Sequence, residues 1–179
     1  MALFRSPQDD RFVIDFSMIL DKGGMLIVNK AMQKAFAYIT YQNRLLVFRH
    51  VDVPEAGTQV PAGTIKVNEH PEQAVLREAV EETGLTDLTV GRFLGKQERE
   101  MSDFGRDEIH HRFFYHLHCN GVPPPTWYHE ECDPSDGSER GSIIFEFFWV
   151  DLRYGVPSLI ADHDRMLPQL FDVLRLETM

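Results

Sequence analysis

The sequence predicts an α/β fold with a mixed β-sheet, and three features of the chain carry that expectation. Runs of β-forming residues recur from about residue 35 to residue 152. Helical patterning is confined to one early and one late stretch. The segment SIIFEFFWVDL (142–152) is almost continuously apolar, as in a strand buried on both faces. Strands interspersed with two helices in this way suggest an α/β sandwich. The 179 residues suit one domain, and 43% hydrophobic with 26% charged residues is an ordinary globular composition.

Residues 1–33 read as an N-terminal extension and 34–179 as the main domain, C-terminal helix included. Within the extension, RFVIDFSMIL and GGMLIVNK are expected as strands of a hairpin turning at Asp21-Lys22-Gly23-Gly24. AFAYITY (35–41) and LLVFRH (45–50) flank the polar Gln42-Asn43-Arg44 and read as a second hairpin. VDVPEAGTQVPAGT is a loop by its Pro and Gly content. A helix is expected from Pro71 to Thr83, with Pro71 suited to the first position and Gly84 just past the end. Strands follow near 88–95 and at 111–118, then a long irregular loop from Asn120 to Ser142. The closing helical stretch, about 162–175, carries Met166, Leu167, Leu170, Phe171 and Leu174, with a kink or break expected at Pro168.

Composition excludes some functions. No apolar run approaches the roughly 18 residues needed to span a bilayer, and the N-terminus lacks the apolar stretch of a secretory signal. A cytoplasmic protein with no membrane partner is therefore expected. The two cysteines, Cys119 and Cys132, lack metal-type spacing and are expected as free thiols. A formal net charge of −10 argues against binding duplex nucleic acid, but not against a small nucleotide, because a bound divalent cation reverses the local sign.

The informative stretch runs from Gly63 through Glu69 to Arg77-Glu78-Ala79-Val80-Glu81-Glu82-Thr83-Gly84-Leu85. On a helix, Glu78, Glu81 and Glu82 stand at i, i+3 and i+4 and share one face, while Leu76, Ala79, Val80 and Thr83 turn the other way. Crowded like charges are usually relieved by a shared proton or a cation. Hard oxygen ligands favour Mg²⁺ or Mn²⁺, which takes one or two carboxylates plus waters and phosphate oxygens. Glycines at 57 and 63 let the loop backbone approach closely. A Glu cluster on a helix is more often only a solvated face, and Arg77 only an i, i+4 partner of Glu81. The surrounding pattern decides between the two.

That pattern resembles the box of the Nudix (MutT-related) hydrolases: Gly63, Glu69, Arg77, Glu78, Glu81, Glu82, Gly84 and Leu85 all fall at its spacing, with Ala79 in the aliphatic slot. The resemblance extends over about 34–175. It implies a Nudix-type α/β/α sandwich and a Mg²⁺- or Mn²⁺-dependent pyrophosphohydrolase, in which water attacks phosphorus of a nucleoside diphosphate linked to another moiety. It further implies Glu78 and Glu82 as principal metal ligands, Glu81 as a further ligand, Arg77 as the salt bridge holding the carboxylates, and the Gly63 carbonyl completing the coordination. The general base is not fixed by the box. Glu81, Glu139 and Glu146 are the candidates, Glu146 because it interrupts an apolar strand. The alternative is a non-catalytic Nudix-like nucleotide-binding or sensor domain; the complete set of box carboxylates favours the enzyme. A prenyl diphosphate isomerase lacks support, as no Cys is placed for it.

Other residues invite weaker readings. Trp127 and Tyr128, in the 120–142 loop, are candidate substrate contacts that stack on a base, or else pins of a rigid loop. Arg49 is a third candidate substrate contact. His110, His111, His116 and His118 crowd one strand, and His116 and His118 share a face; a zinc site there lacks a full ligand set, and packed or solvent-facing histidines are the ordinary alternative. The window past the box reads Glu100-Met101-Ser102, without the Pro of ADP-ribose hydrolases or the Tyr of dinucleoside polyphosphate hydrolases, so the substrate stays open. A small nucleotide-type diphosphate is the expected partner, and a homodimer is left open.

Overall fold

The computed structural model describes residues 16–20, 26–131 and 143–177. Among them, eight strands form one sheet: β1 (Phe16–Leu20), β2 (Leu26–Tyr41), β3 (Arg44–His50), β4 (Ala62–Thr64), β5 (Leu88–Glu100), β6 (Glu108–Cys119), β7 (Thr126–Glu131) and β8 (Ile143–Asp151). Helix α1 (Pro71–Thr83) follows β4, and α2 (Leu167–Glu177) closes the chain. The strand order is β5-β6-β2-β3-β8-β7, with β1 and β4 also paired to β2. β2 and β6 run parallel from Lys30↔Glu108 to Thr40↔His118, and the other pairs are antiparallel, so the sheet is mixed as expected. Along its second edge β2 meets β1, β4 and β3 in turn.

Alternation along the central strands sorts their apolar residues between two cores. Ala35, Ala37 and Ile39 of β2, Leu46 and Phe48 of β3, and Leu117 of β6 pack with Ala74, Val75 and Ala79 of α1. Phe36 and Tyr38, Leu45 and Val47, and Phe114 face the other way, onto Met166, Leu170 and Val173. The continuous apolar runs at 35–41 and 45–48 thus belong to strands covered on both sides, which makes an α/β/α sandwich.

Four expectations change. β8 is deeply buried on one face only: Phe145 and Phe147 join the α1 core, whereas Phe148 and Val150 are half-covered and Ile144 is exposed. β8 lies one strand from the sheet edge, beyond full cover on its second side. The expected loop Asn120–Ser142 contains strand β7, whose Thr126–Glu131 pairs antiparallel with β8; residues 132–142, with Cys132 and Glu139, lie outside the described residues. Pro168 neither kinks nor splits a helix, because α2 begins at Leu167 and places it in the first turn, where its missing N–H leaves no bond unmade. A 3-10 turn at Ile160–Asp162 precedes it. The strand at 88–95 extends to Glu100. β1 and β2 pair as the first expected hairpin, its turn lying outside the described residues. β2 passes residue 33 without a break. Cys119 is a buried free thiol. Among the described residues, no helix is long and apolar enough to cross a membrane.

Three histidines are buried within this frame. Burial pushes His110 and His116 down to about 4 and His163 to about 3, so all three are neutral at pH 7. His163 Nδ1 accepts from the Val60 amide at 3.4 Å. In the unfolded chain such groups titrate near 6.5. Below that value the unfolded state takes up protons that the folded state refuses, so the stability present above pH 6.5 is lost progressively towards pH 4 and below. Denaturant midpoints between pH 7 and 5 should therefore fall with acidification. His163→Asn keeps an acceptor for Val60 but cannot be protonated, and it should flatten that slope by at most about 1.4 kcal/mol per pH unit. Parallel slopes for the two proteins would disprove the assignment.

Candidate active site

Helix α1 is fixed at both ends. At its start the His70 ring accepts from the Glu72 amide and Gln73 Oε1 accepts from the His70 amide, a capping box that spares two orphan N–H groups. At its end Gly84 adopts φ 71°, a left-handed conformation open to glycine, and donates to the Val80 carbonyl. Two side chains of β7, on one face of that strand, secure the last turn. Trp127 Nε1 donates to the Thr83 carbonyl at 2.8 Å, and His129 Nε2 donates to the Glu81 carbonyl at 3.0 Å. Trp127 also stacks on Phe147, with centroids 5.1 Å apart.

The helix so held presents its carboxylates to β4. Arg77 forks onto Glu69 through Nε and Nη2, both at 2.7 Å; Nη1 reaches Glu78 at 2.8 Å and Glu81 at 2.9 Å, and Nη2 also meets the Thr64 carbonyl at 3.1 Å. The Arg77 guanidinium holds Glu69 well below the usual carboxylate range, and the carboxylates hold Arg77 firmly protonated. Glu78 and Glu82 are buried, at 3% and 6% exposure, while the Glu81 side chain is 52% exposed. Burial pushes the Glu78 carboxyl up, against the opposing pull of Arg77. Glu82 Oε2 accepts from the Ala62 amide at 3.0 Å. Gly63 lies so close that a Cβ there would overlap the Glu78 carboxyl. Its lack of a side chain is what lets the β4 backbone and the acid meet.

Glu82 and Ala62 border a cleft of about 500 Å³. On one side it is lined by Lys34, Arg106, His110 and Arg112, and on the other by Phe48, His50 and Phe145; Phe36, Val60 and His163 also line it. Lys34 Nζ donates to Thr64 Oγ1 at 2.7 Å; burial lowers its pKa, opposed by the charges of Glu78, Glu108 and Glu82.

The residues singled out in the sequence fall into two groups. Gly63, Glu69, Arg77, Glu78, Glu81 and Glu82 converge at the β4–α1 junction. Glu146, Arg49 and Tyr128 converge elsewhere: they are register partners on β8, β3 and β7, with Arg49 Nε 2.9 Å and the Tyr128 hydroxyl 3.5 Å from the Glu146 carboxylate. None of these three, nor Trp127, is among the residues lining the cleft. His110 does line it, whereas His116 is buried with Nε2 2.7 Å from Thr40 Oγ1 and its ring 4.3 Å from that of His118. Sequence reasoning missed Lys34, His50, Arg112 and His163. The one signal for any of them was a charged residue, Arg112, inside the apolar run of β6.

Among the described residues, no three His, Cys, Asp or Glu side chains form a group that could hold a metal ion by themselves. A hard divalent ion does not require three, since Mg²⁺ commonly takes one or two carboxylates and fills its remaining positions with water and phosphate oxygens. Two buried carboxylates beside a side-chain-free backbone position fit that demand.

Fold and site together define a class: an α/β/α sandwich with buried carboxylates beside a cleft of about 500 Å³. The NUDIX domain profile matches residues 31–170. Among solved structures, the chain is similar to a UDP-X diphosphatase (TM-score 0.54, 17% identity, covering 84% of this chain and 66% of that one). It is also similar to a MutT NUDIX hydrolase from Burkholderia pseudomallei (0.56, 23%, 78% and 98%) and to a C. elegans Ap4A hydrolase (0.57, 16%, 80% and 98%). The chain thus spans 66% of the length of the UDP-X diphosphatase chain. No curated protein matches it by sequence. The chain belongs to the Nudix family.

Two variants test how the site is held. Gly63→Ala should leave the fold intact but displace the Glu78 carboxyl, weakening Mn²⁺ binding about ten- to a hundredfold in a calorimetric titration. Unchanged Mn²⁺ affinity would show that the close approach of Gly63 does not seat the acid. Trp127→Ala removes a half-buried ring packed against the α1 core and a bond to Thr83, so it should lower the melting temperature by the equivalent of about 1–3 kcal/mol. Its Michaelis constant should stay nearly unchanged; a rise of ten- to a hundredfold would instead place the ring on the substrate.

Proposed function

We propose that this protein hydrolyses a nucleoside diphosphate linked to another moiety, using Mg²⁺ or Mn²⁺ and water attack at phosphorus. The observation that carries the reading is the pair of buried carboxylates, Glu78 against Gly63 and Glu82 on the Ala62 amide at the edge of the cleft. Glu78, Glu82 and the Gly63 carbonyl would hold the ion, with Glu81 as a further ligand. A divalent ion there neutralises the diphosphate and lowers the pKa of the attacking water.

The chain's own groups do the rest. Arg77, clamped on Glu69, keeps Glu78 and Glu81 oriented. Glu81 is our choice for the general base, because it is solvent-accessible and shares the helix face of Glu78 and Glu82, whereas Glu146 lies apart from them on β8. Phe48, His50 and Phe145, whose rings are tilted or edge-on to one another, offer an aromatic wall suited to a nucleobase. The similar structures named for UDP-X and Ap4A support a nucleotide-type substrate.

The test is direct. Turnover of nucleotide sugars, dinucleoside polyphosphates, ADP-ribose and nucleoside triphosphates should vanish in excess chelator and return with Mg²⁺ or Mn²⁺. Glu82→Gln should cut the rate by orders of magnitude while circular dichroism stays native. Undiminished turnover in chelator sinks the mechanism. Ion-dependent binding of these compounds without any turnover favours the sensor reading.

A further inference from the structure

The cleft differs in chemistry from one side to the other. β4 pairs with β2, and Gln59 just before it bridges Phe48 of β3, so the β4–Glu82 edge lies between two walls. The β3–β8 wall is aromatic: the His50 ring lies 5.9 Å from Phe48 and 4.9 Å from Phe145. The β2–β6 wall is cationic, with Lys34 and Arg112, joined by Arg106 from the connection just before β6, while the acids of the whole lining are Glu55 and Glu82.

Arg112 is the unusual member. It is 1% exposed, and among the described residues no carboxylate stands within ion-pair distance of it. Its partners are neutral: the Ala161 carbonyl at 2.5 Å, Met101 Sδ at 3.3 Å, Gln97 Oε1 at 3.5 Å and the face of Phe36 at 5.0 Å. Its Nε has no hydrogen-bond partner. The nearby acids, Asp103 and Asp162, are both engaged by Arg99, at 2.7 and 2.9 Å. Ala161, which offers its carbonyl, holds the uncommon φ of 52°. A buried cation without a contacting counter-charge is destabilising for the fold alone, and an incoming anion removes that imbalance.

Position indicates which anion. Arg112 is the register partner of Lys34, which is in turn the partner of Thr64, next to Gly63. Two strand spacings, about 10 Å, therefore separate the Arg112 backbone from the backbone at the carboxylate site. That is farther than the two phosphorus atoms of one diphosphate stand apart.

We infer that Arg112, with Lys34 and Arg106, forms a second oxyanion subsite, and that the substrate carries a further phosphate group there beyond the diphosphate that is cleaved. This rests on the reading of Glu78 and Glu82 as the ion-holding end. The aromatic wall then takes the ring at the substrate's other end.

Two probes test it on the full chain with Mn²⁺ present: methylenediphosphonate, and its three-phosphorus homologue with both bridges methylene. By calorimetry the longer probe should bind at least about tenfold tighter to the unaltered protein. Arg112→Met should weaken the longer probe about tenfold or more and leave the shorter within about twofold. Arg106→Ala, an exposed change that spares the core, should act in the same sense and keeps the test alive if Arg112→Met fails to fold. Equal affinities in the unaltered protein, or equal losses for both probes, overturn the subsite. Glu82→Gln should weaken both probes together; if it weakens neither, the ion-binding reading falls while the ratio between probes still decides on Arg112.

Discussion

Four carboxylates, Glu69, Glu78, Glu81 and Glu82, gather around a single guanidinium, Arg77, and two of them are buried. Burying like charges together is costly, and one arginine compensates only part of it. The arrangement persists because Arg77 makes short bonds to three of the four acids and because Glu82 takes a backbone amide from β4. The remaining negative charge is what would draw the divalent ion we propose there. A fully neutralised cluster would be more stable and of no use for that purpose.

The rest of the fold can be read as support for this one junction. Small residues, Ala74 and Ala79, bring α1 down onto Ala35 and Ala37 of β2, so the helix lies close to the sheet and its acids reach β4. The capping box fixes the start of the helix, and Gly84, Trp127 and His129 fix its last turn. β7 matters here although it is the outermost strand of the main sheet path. Its bonds to the carbonyls of Glu81 and Thr83 flank Glu82 along the chain and leave the helix little freedom to roll. Moving a carboxylate by an ångström changes whether it can share an ion, so support of this kind bears on chemistry as well as stability.

How much of this was legible in the sequence follows the range of the interactions. The box was legible because its groups must sit at fixed local spacing on one helix, and the limits Pro71–Thr83 follow from Pro and Gly chemistry at the ends. The sheet's strands were legible where two-sided burial writes long apolar runs. β7 was not: TWYHEE, after three prolines, carries no strand period strong enough, and only the partner β8 makes it a strand. Glu146 looked anomalous in an apolar run because its partner Arg49 is 97 residues away. Trp127 looked like a loop aromatic for the same reason, since Thr83 and Phe147 are not its neighbours in sequence. Arg112 could be seen only as a charge inside a strand; its lack of a contacting acid is a property of the packed molecule.

The formal net charge of −10 sets a final constraint on how such a site meets an anion. At physiological ionic strength the Debye length is about 8 Å, so acids spread over the surface are largely screened from an approaching phosphate. Charges lining a cleft with low-dielectric walls are screened far less, and their field is focused along it. Lys34, Arg106 and Arg112 therefore weigh more inside the cleft than their number suggests against the total. An acidic protein and a polyanionic ligand are compatible when the few cations sit where the solvent does not intervene. The same logic gives the surplus acids around Arg77 their place. They are gathered at the β4–α1 edge, and among the described residues that line the cleft the acids are Glu55 and Glu82.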